Sequence, residues 1–154
     1  VSDKLSNPAG ELFGRTADFL HEAELKKFKT LPRAVRTAVQ KHSDMNQFLK
    51  GNIVQPLVNS LRHIESVIAC MDEITKASFD IPRTSMKYLD DQLDNLAQTL
   101  QALQAAYNVL FGMEGIDKNL LIAFKKGIEE LEDDWSFLDF AFGRLEKSTR
   151  IQHD

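Results

Sequence analysis

The stretch MKYLDDQLDNLAQTLQALQAAYNVL, residues 86–110, decides the fold. Its apolar residues Met86, Leu89, Leu93, Leu96, Leu100, Leu103, Tyr107 and Leu110 recur at alternating steps of three and four. In a helix this spacing gathers them into one stripe, which must be covered by another helix. The pattern returns through Val54, Leu57, Leu61, Ile64, Ile68 and Met71, and again through Leu121, Phe124, Ile128, Leu131, Trp135, Leu138, Phe142 and Leu145. Three long helices in need of mutual cover predict an all-α fold, an antiparallel coiled-coil-like helical bundle of four to five helices.

Outward from residues 86–110, the punctuation places the remaining elements. Phe79-Asp80-Ile81-Pro82 reads as a turn, with Thr84 or Ser85 capping the helix that follows. Gly112 and Gly115 bracket the next turn, and Asp117 caps a helix running to about Lys147, with a short polar tail beyond. Gly51-Asn52 reads as a stop and a new cap, which puts Pro56 in the first turn of a helix reaching Lys76; the alternative is one longer helix kinked at Pro56. Asn7-Pro8 opens a helix through Leu12, Phe13, Phe19, Leu20 and Phe28 to about Thr30. Pro32 starts the next, and Ser43 or Asp44 breaks it before Phe48 and Leu49. No strand pattern or low-complexity segment interrupts the helices.

The 154 residues fit one domain, 1–154, in which 8–50 form N-terminal covering helices and 53–147 a three-helix antiparallel core. Short connections make successive helices antiparallel neighbours. The lone Cys70 cannot form an internal disulfide, no apolar stretch approaches the roughly 20 residues of a membrane span, and the N-terminal residues lack signal-peptide character. These features point to a soluble, cytoplasmic chain.

The acidic runs invite a metal reading. Asp90, Asp91 and Asp94 form Asp-Asp-x-x-Asp, and Glu129, Glu130 and Asp133 form Glu-Glu-x-x-Asp. Carboxylates at such spacing share a helix face and can hold Mg²⁺ against phosphate oxygens, the arrangement of a phosphate-ester or nucleotide hydrolase. Asp94 and Asp134 lie at matching distances from the turn near Glu114, so the two clusters should stand level. The heptad phase opposes catalysis, because it sets these carboxylates on outer or flanking positions. His21, His42, His63 and His153 show no ligand spacing for a di-iron or hemerythrin-like site, strict heptads predict shallower crossings than a haem-binding globin uses, and no phosphate loop or nucleophile elbow occurs. No catalytic residue and no cofactor is expected.

Two features remain as candidate partner surfaces. Phe137, Phe140 and Ala141 lie off the stripe beside Trp135, an apolar arc too wide for one interface, which either the N-terminal helices or a second copy must cover. Lys26, Lys27, Lys29, Arg33, Arg36 and Lys41 occur with no acidic residue among them, in a chain of net charge −4. The basic run could lie beside the acidic bundle face, meet a partner protein, or contact an anionic membrane; nucleic acid is disfavoured by the overall acidity. The expectation is a non-enzymatic helical interaction or regulatory module, with a protein partner or a homodimer docking on Trp135, Phe137, Phe140, Lys26, Lys27, Lys29, Arg33 and Arg36.

Overall fold

The computed structural model describes residues 24–76, 80–148 and 150–152. Their chain folds as an all-α bundle, as the heptads require. A 3₁₀ turn over Glu24–Thr30 leads into α1 (Leu31–Lys41) and α2 (Met45–Leu49). A π-helical turn, Lys50–Val54, joins α2 to α3 (Gln55–Lys76); β1 (Asp80–Pro82) precedes α4 (Arg83–Phe111), and α5 (Lys118–Ser148) is followed by β2 (Arg150–Gln152). The expected helix start at Asn7-Pro8, with Leu12, Phe13, Phe19, Leu20 and His21, lies outside the described residues, as do Phe79 and His153.

The stripes are the core. Leu89, Leu93, Leu96, Leu103 and Leu110 of α4 pack in one buried cluster with Leu57, Ile64 and Met71 of α3 and with Phe124, Leu131 and Leu145 of α5. α4 and α5 form an antiparallel hairpin, pinned where Trp135 Nε1 donates to the Leu93 carbonyl at 2.9 Å. α3 runs parallel to α5 and packs against it at Gly127, where an added Cβ would lie 2.7 Å from Leu57 Cδ2. A glycine is what allows the two helices to approach there.

Several expectations are corrected. Among the described residues α5 packs on both α3 and α4, while α3 and α4 are not close neighbours along their length. The 3₁₀ turn sits between them, touching both, and inserts the buried Leu25 and Phe28. The described part of the N-terminal segment thus fills the side of the bundle between α3 and α4. That part, Glu24–Thr30, is 3₁₀ rather than α-helical, and α1 follows it directly with Pro32 in the first turn, where the missing N–H costs little.

The expected break at Gly51-Asn52 is absent; the longer-helix alternative holds, with a π turn in place of a sharp kink. Gln55 N–H reaches back to the Lys50 carbonyl, one residue beyond α-helical spacing, just before Pro56 removes a donor. The extra residue lets the axis continue while Leu49 and Ile53 stay buried. Asp80–Pro82 is not a free turn, nor is the C-terminal tail without structure, for the two pair as a parallel ribbon, Ile81 opposite Ile151. Pro82 stands at the end of its strand, where a missing N–H is tolerated. α4 begins at Arg83, so Thr84 and Ser85 lie inside its first turn rather than capping it.

The other caps behave as the sequence indicates. Asp44 caps α2, its Oδ1 accepting from the N–H groups of Asn46 and Gln47 at 3.0 and 3.1 Å. Asp117 caps α5 through Asn119 N–H at 2.8 Å. Gly115, at φ +83°, makes the left-handed step of the hairpin turn.

Candidate functional site

The acidic residues are placed first, because they carried the enzymatic alternative. Asp90, Asp91, Asp94, Glu129, Glu130 and Asp133 are all exposed, and Lys87 Nζ contacts Asp91 at 3.3 Å. Among the described residues no three His, Cys, Asp or Glu side chains converge to hold a metal ion. Asp134, unlike these, is partly buried. Partial burial pushes its carboxyl up to about 6 from an ordinary 3.8, with the nearby carboxylates Glu65, Glu130 and Asp133 adding to the rise. Across the interface it meets the like charge of Glu65 on α3.

The basic and aromatic residues are not brought together. Lys26, Lys27 and Lys29 lie on the 3₁₀ turn and Arg33 and Arg36 on α1, elements that pack against α4, whereas Trp135, Phe137 and Phe140 belong to α5. Lys29 Nζ donates to the Asn95 side chain of α4, so it has a structural partner. Arg33 lines a groove of about 320 Å³ floored by Ala34, Ala38 and Phe48. Trp135 is partly buried: its indole N–H donates to the Leu93 carbonyl and its ring packs on the core. Phe137 and Phe140 remain outside, 48% and 65% exposed, with the Arg144 guanidinium 6.0 Å from the Phe140 ring centre.

The structure adds a site at the hairpin end. Between the last turn of α4 and the first turns of α5 lies a cleft of about 760 Å³. Its walls are Tyr107, Phe111, Met113, Ile116, Leu121 and Ile122. Tyr107 stacks on Phe111 at 5.8 Å between ring centres and meets Phe124 edge-on at 5.7 Å, fixing the aromatic wall. Phe111 is 67% exposed and Ile122 65%, so the cleft presents apolar surface to water. Lys118, Lys125 and Lys126 rim it against Glu114 and Glu129.

A side chain from α2 holds the floor of the cleft in place. Asn46 Nδ2 donates to the Gly115 carbonyl at 3.1 Å, while its Oδ1 accepts from Asp117 N–H at 2.8 Å. One amide thus occupies both backbone groups of the turn, as a neighbouring strand would. The sequence signal for this site was present in Phe111, one step off the α4 stripe, and Ile122, one step off the α5 stripe. Both flank the glycine turn, but a lone off-stripe residue is common at helix ends, and only the fold places the two across from each other.

No family model, no curated protein and no solved structure matches the chain. Among the described residues, no helix is long and apolar enough to cross a membrane.

Proposed function

We propose that the chain is a non-enzymatic interaction module that receives an amphipathic helix of a protein partner in the cleft at the α4–α5 hairpin end. One observation carries this reading: Phe111 and Ile122, the two most exposed apolar side chains of the hairpin besides Phe140, flank a preformed concavity. Exposed apolar surface of this kind costs solubility unless it is used. A helix laid in a groove needs an apolar floor, and Met113 and Ile116 supply an adaptable one.

Charge selects the partner. In a chain of net charge −4, the rim carries three lysines against two glutamates, which favours a helix whose apolar anchors are flanked by carboxylates. The test is fluorescence anisotropy with a labelled amphipathic peptide of leucine and glutamate, compared with its lysine counterpart. The glutamate peptide should bind, more weakly as salt rises, and Phe111→Ser with Ile122→Ser should abolish binding while helicity is unchanged. Equal or stronger binding of the lysine peptide, or no binding of either, refutes the proposal.

A further inference from the structure

The outer face of α5 carries a second alternation of four and three: Glu130, Asp133, Phe137, Phe140, Arg144 and Lys147. All six are exposed. At ~100° per residue they fall within an arc of about 100°, on the side turned away from α3 and α4. This face is not the hairpin-end cleft, and its residues are in a telling order: two carboxylates, two phenyl rings, two cations. None of the four charged residues forms an ion pair with another described residue.

The order is self-complementary when reversed. Against an antiparallel copy of the same helix, with Phe137 opposite the partner's Phe140, Asp133 falls opposite the partner's Arg144 and Glu130 opposite the partner's Lys147. A two-fold axis between the phenylalanines repeats every contact, as an isologous interface requires. In a parallel pairing each charge would instead meet its own kind, which is repulsive and removes that alternative. Steps of four and three are those by which one helix seats on another, so the phenyl rings can interdigitate at the centre while the charges close the ends. A heterologous partner would have to reproduce this charge order, whereas a second copy does so by symmetry.

We infer that a second copy of this chain docks on the outer face of α5, antiparallel, around Phe137 and Phe140. The experiment is analytical ultracentrifugation of the full chain over micromolar to submillimolar concentrations. Dimer is expected for the wild type and monomer for Phe137→Glu with Phe140→Glu, with circular dichroism showing both folded. Asp133→Arg alone and Arg144→Asp alone should each weaken the dimer about tenfold or more, because each sets like charges together at two symmetric places. The double variant Asp133→Arg with Arg144→Asp restores the opposition and should recover the wild-type affinity. A monomer at every concentration overturns the inference, and so does a dimer indifferent to the phenylalanine substitutions. Failure of the charge swap to rescue overturns the antiparallel register. Phe111→Ser leaves this dimer intact, which separates the outcome from that of the cleft.

Discussion

At the scale of single residues, Asp134 is where the acidic surface meets the interior. Its carboxyl titrates near 6 in the folded chain and near 3.8 when unperturbed, because it is partly buried beside Glu65, Glu130 and Asp133. Between these values the folded chain holds a proton that the unfolded chain has released. The favourable contribution is therefore complete below about pH 4 and is lost as pH rises through 6. Asp134→Asn should stabilise the fold at pH 7, by about 1 kcal/mol once solvent screening is allowed for, and should bring no gain at pH 4. Thermal melts at the two pH values check this, and an equal gain at both would remove the electrostatic cause.

The two interior glycines of α5 make a second contrast at this scale. Nothing lies within 4 Å of a Cβ added at Gly143, so Gly143→Ala should stabilise by about 0.5–1 kcal/mol through helix propensity. At Gly127 the same methyl meets Leu57 Cδ2 at 2.7 Å and Cγ at 3.2 Å. Overpacking costs about 1–3 kcal/mol, so Gly127→Ala should be neutral to destabilising despite the same propensity gain. Urea titrations of the pair would show whether the α3–α5 contact is as close as the geometry has it.

At the scale of elements, α2 shows how five residues can tie the N-terminal segment to the α4–α5 turn. Asp44 starts it by capping Asn46 and Gln47, and Asn46 then clasps the α4–α5 turn at Gly115 and Asp117. Asp44→Ala should cost about 1 kcal/mol through the lost cap. Asn46→Ala should cost a similar ~1 kcal/mol and, in addition, speed amide exchange at Asp117, whose N–H loses its acceptor. Unchanged exchange there would mean that the clasp does not hold the turn. Because this turn floors the cleft, the same variant is expected to weaken the acidic peptide while leaving the α5 dimer untouched.

At the scale of the whole molecule, the 3₁₀ turn fills the side of the bundle between α3 and α4. It lies against both α3 and α4, burying Phe28 to 1% exposure, and Thr99 of α4 donates to the Leu25 carbonyl at 3.3 Å. Packed this way it should unfold with the rest, so Phe28→Ala is expected to lower stability by about 3–5 kcal/mol in a single cooperative transition. A separate, low-stability transition for the 3₁₀ turn would show instead that it docks on helices stable without it.

The sequence by itself determined the buried stripes of the three long helices, the Asp44 and Asp117 caps and the outward placement of the acidic motifs. All of these depend on spacing along one chain, and a helix converts spacing into facing directly. Only the tertiary structure decided which helices are neighbours: the stripe of α4 states that cover is needed and does not state that Phe28 shares in supplying it. Only the structure likewise showed that Trp135 is anchored, that Asp134 faces Glu65, and that Phe111 and Ile122 wall one cleft. These are relations between segments remote in sequence, set by the order in which four rods pack. The outer face of α5 belongs to both: its charge order is legible in residues 130–147, and its exposure was settled when α3 and α4 took the other side.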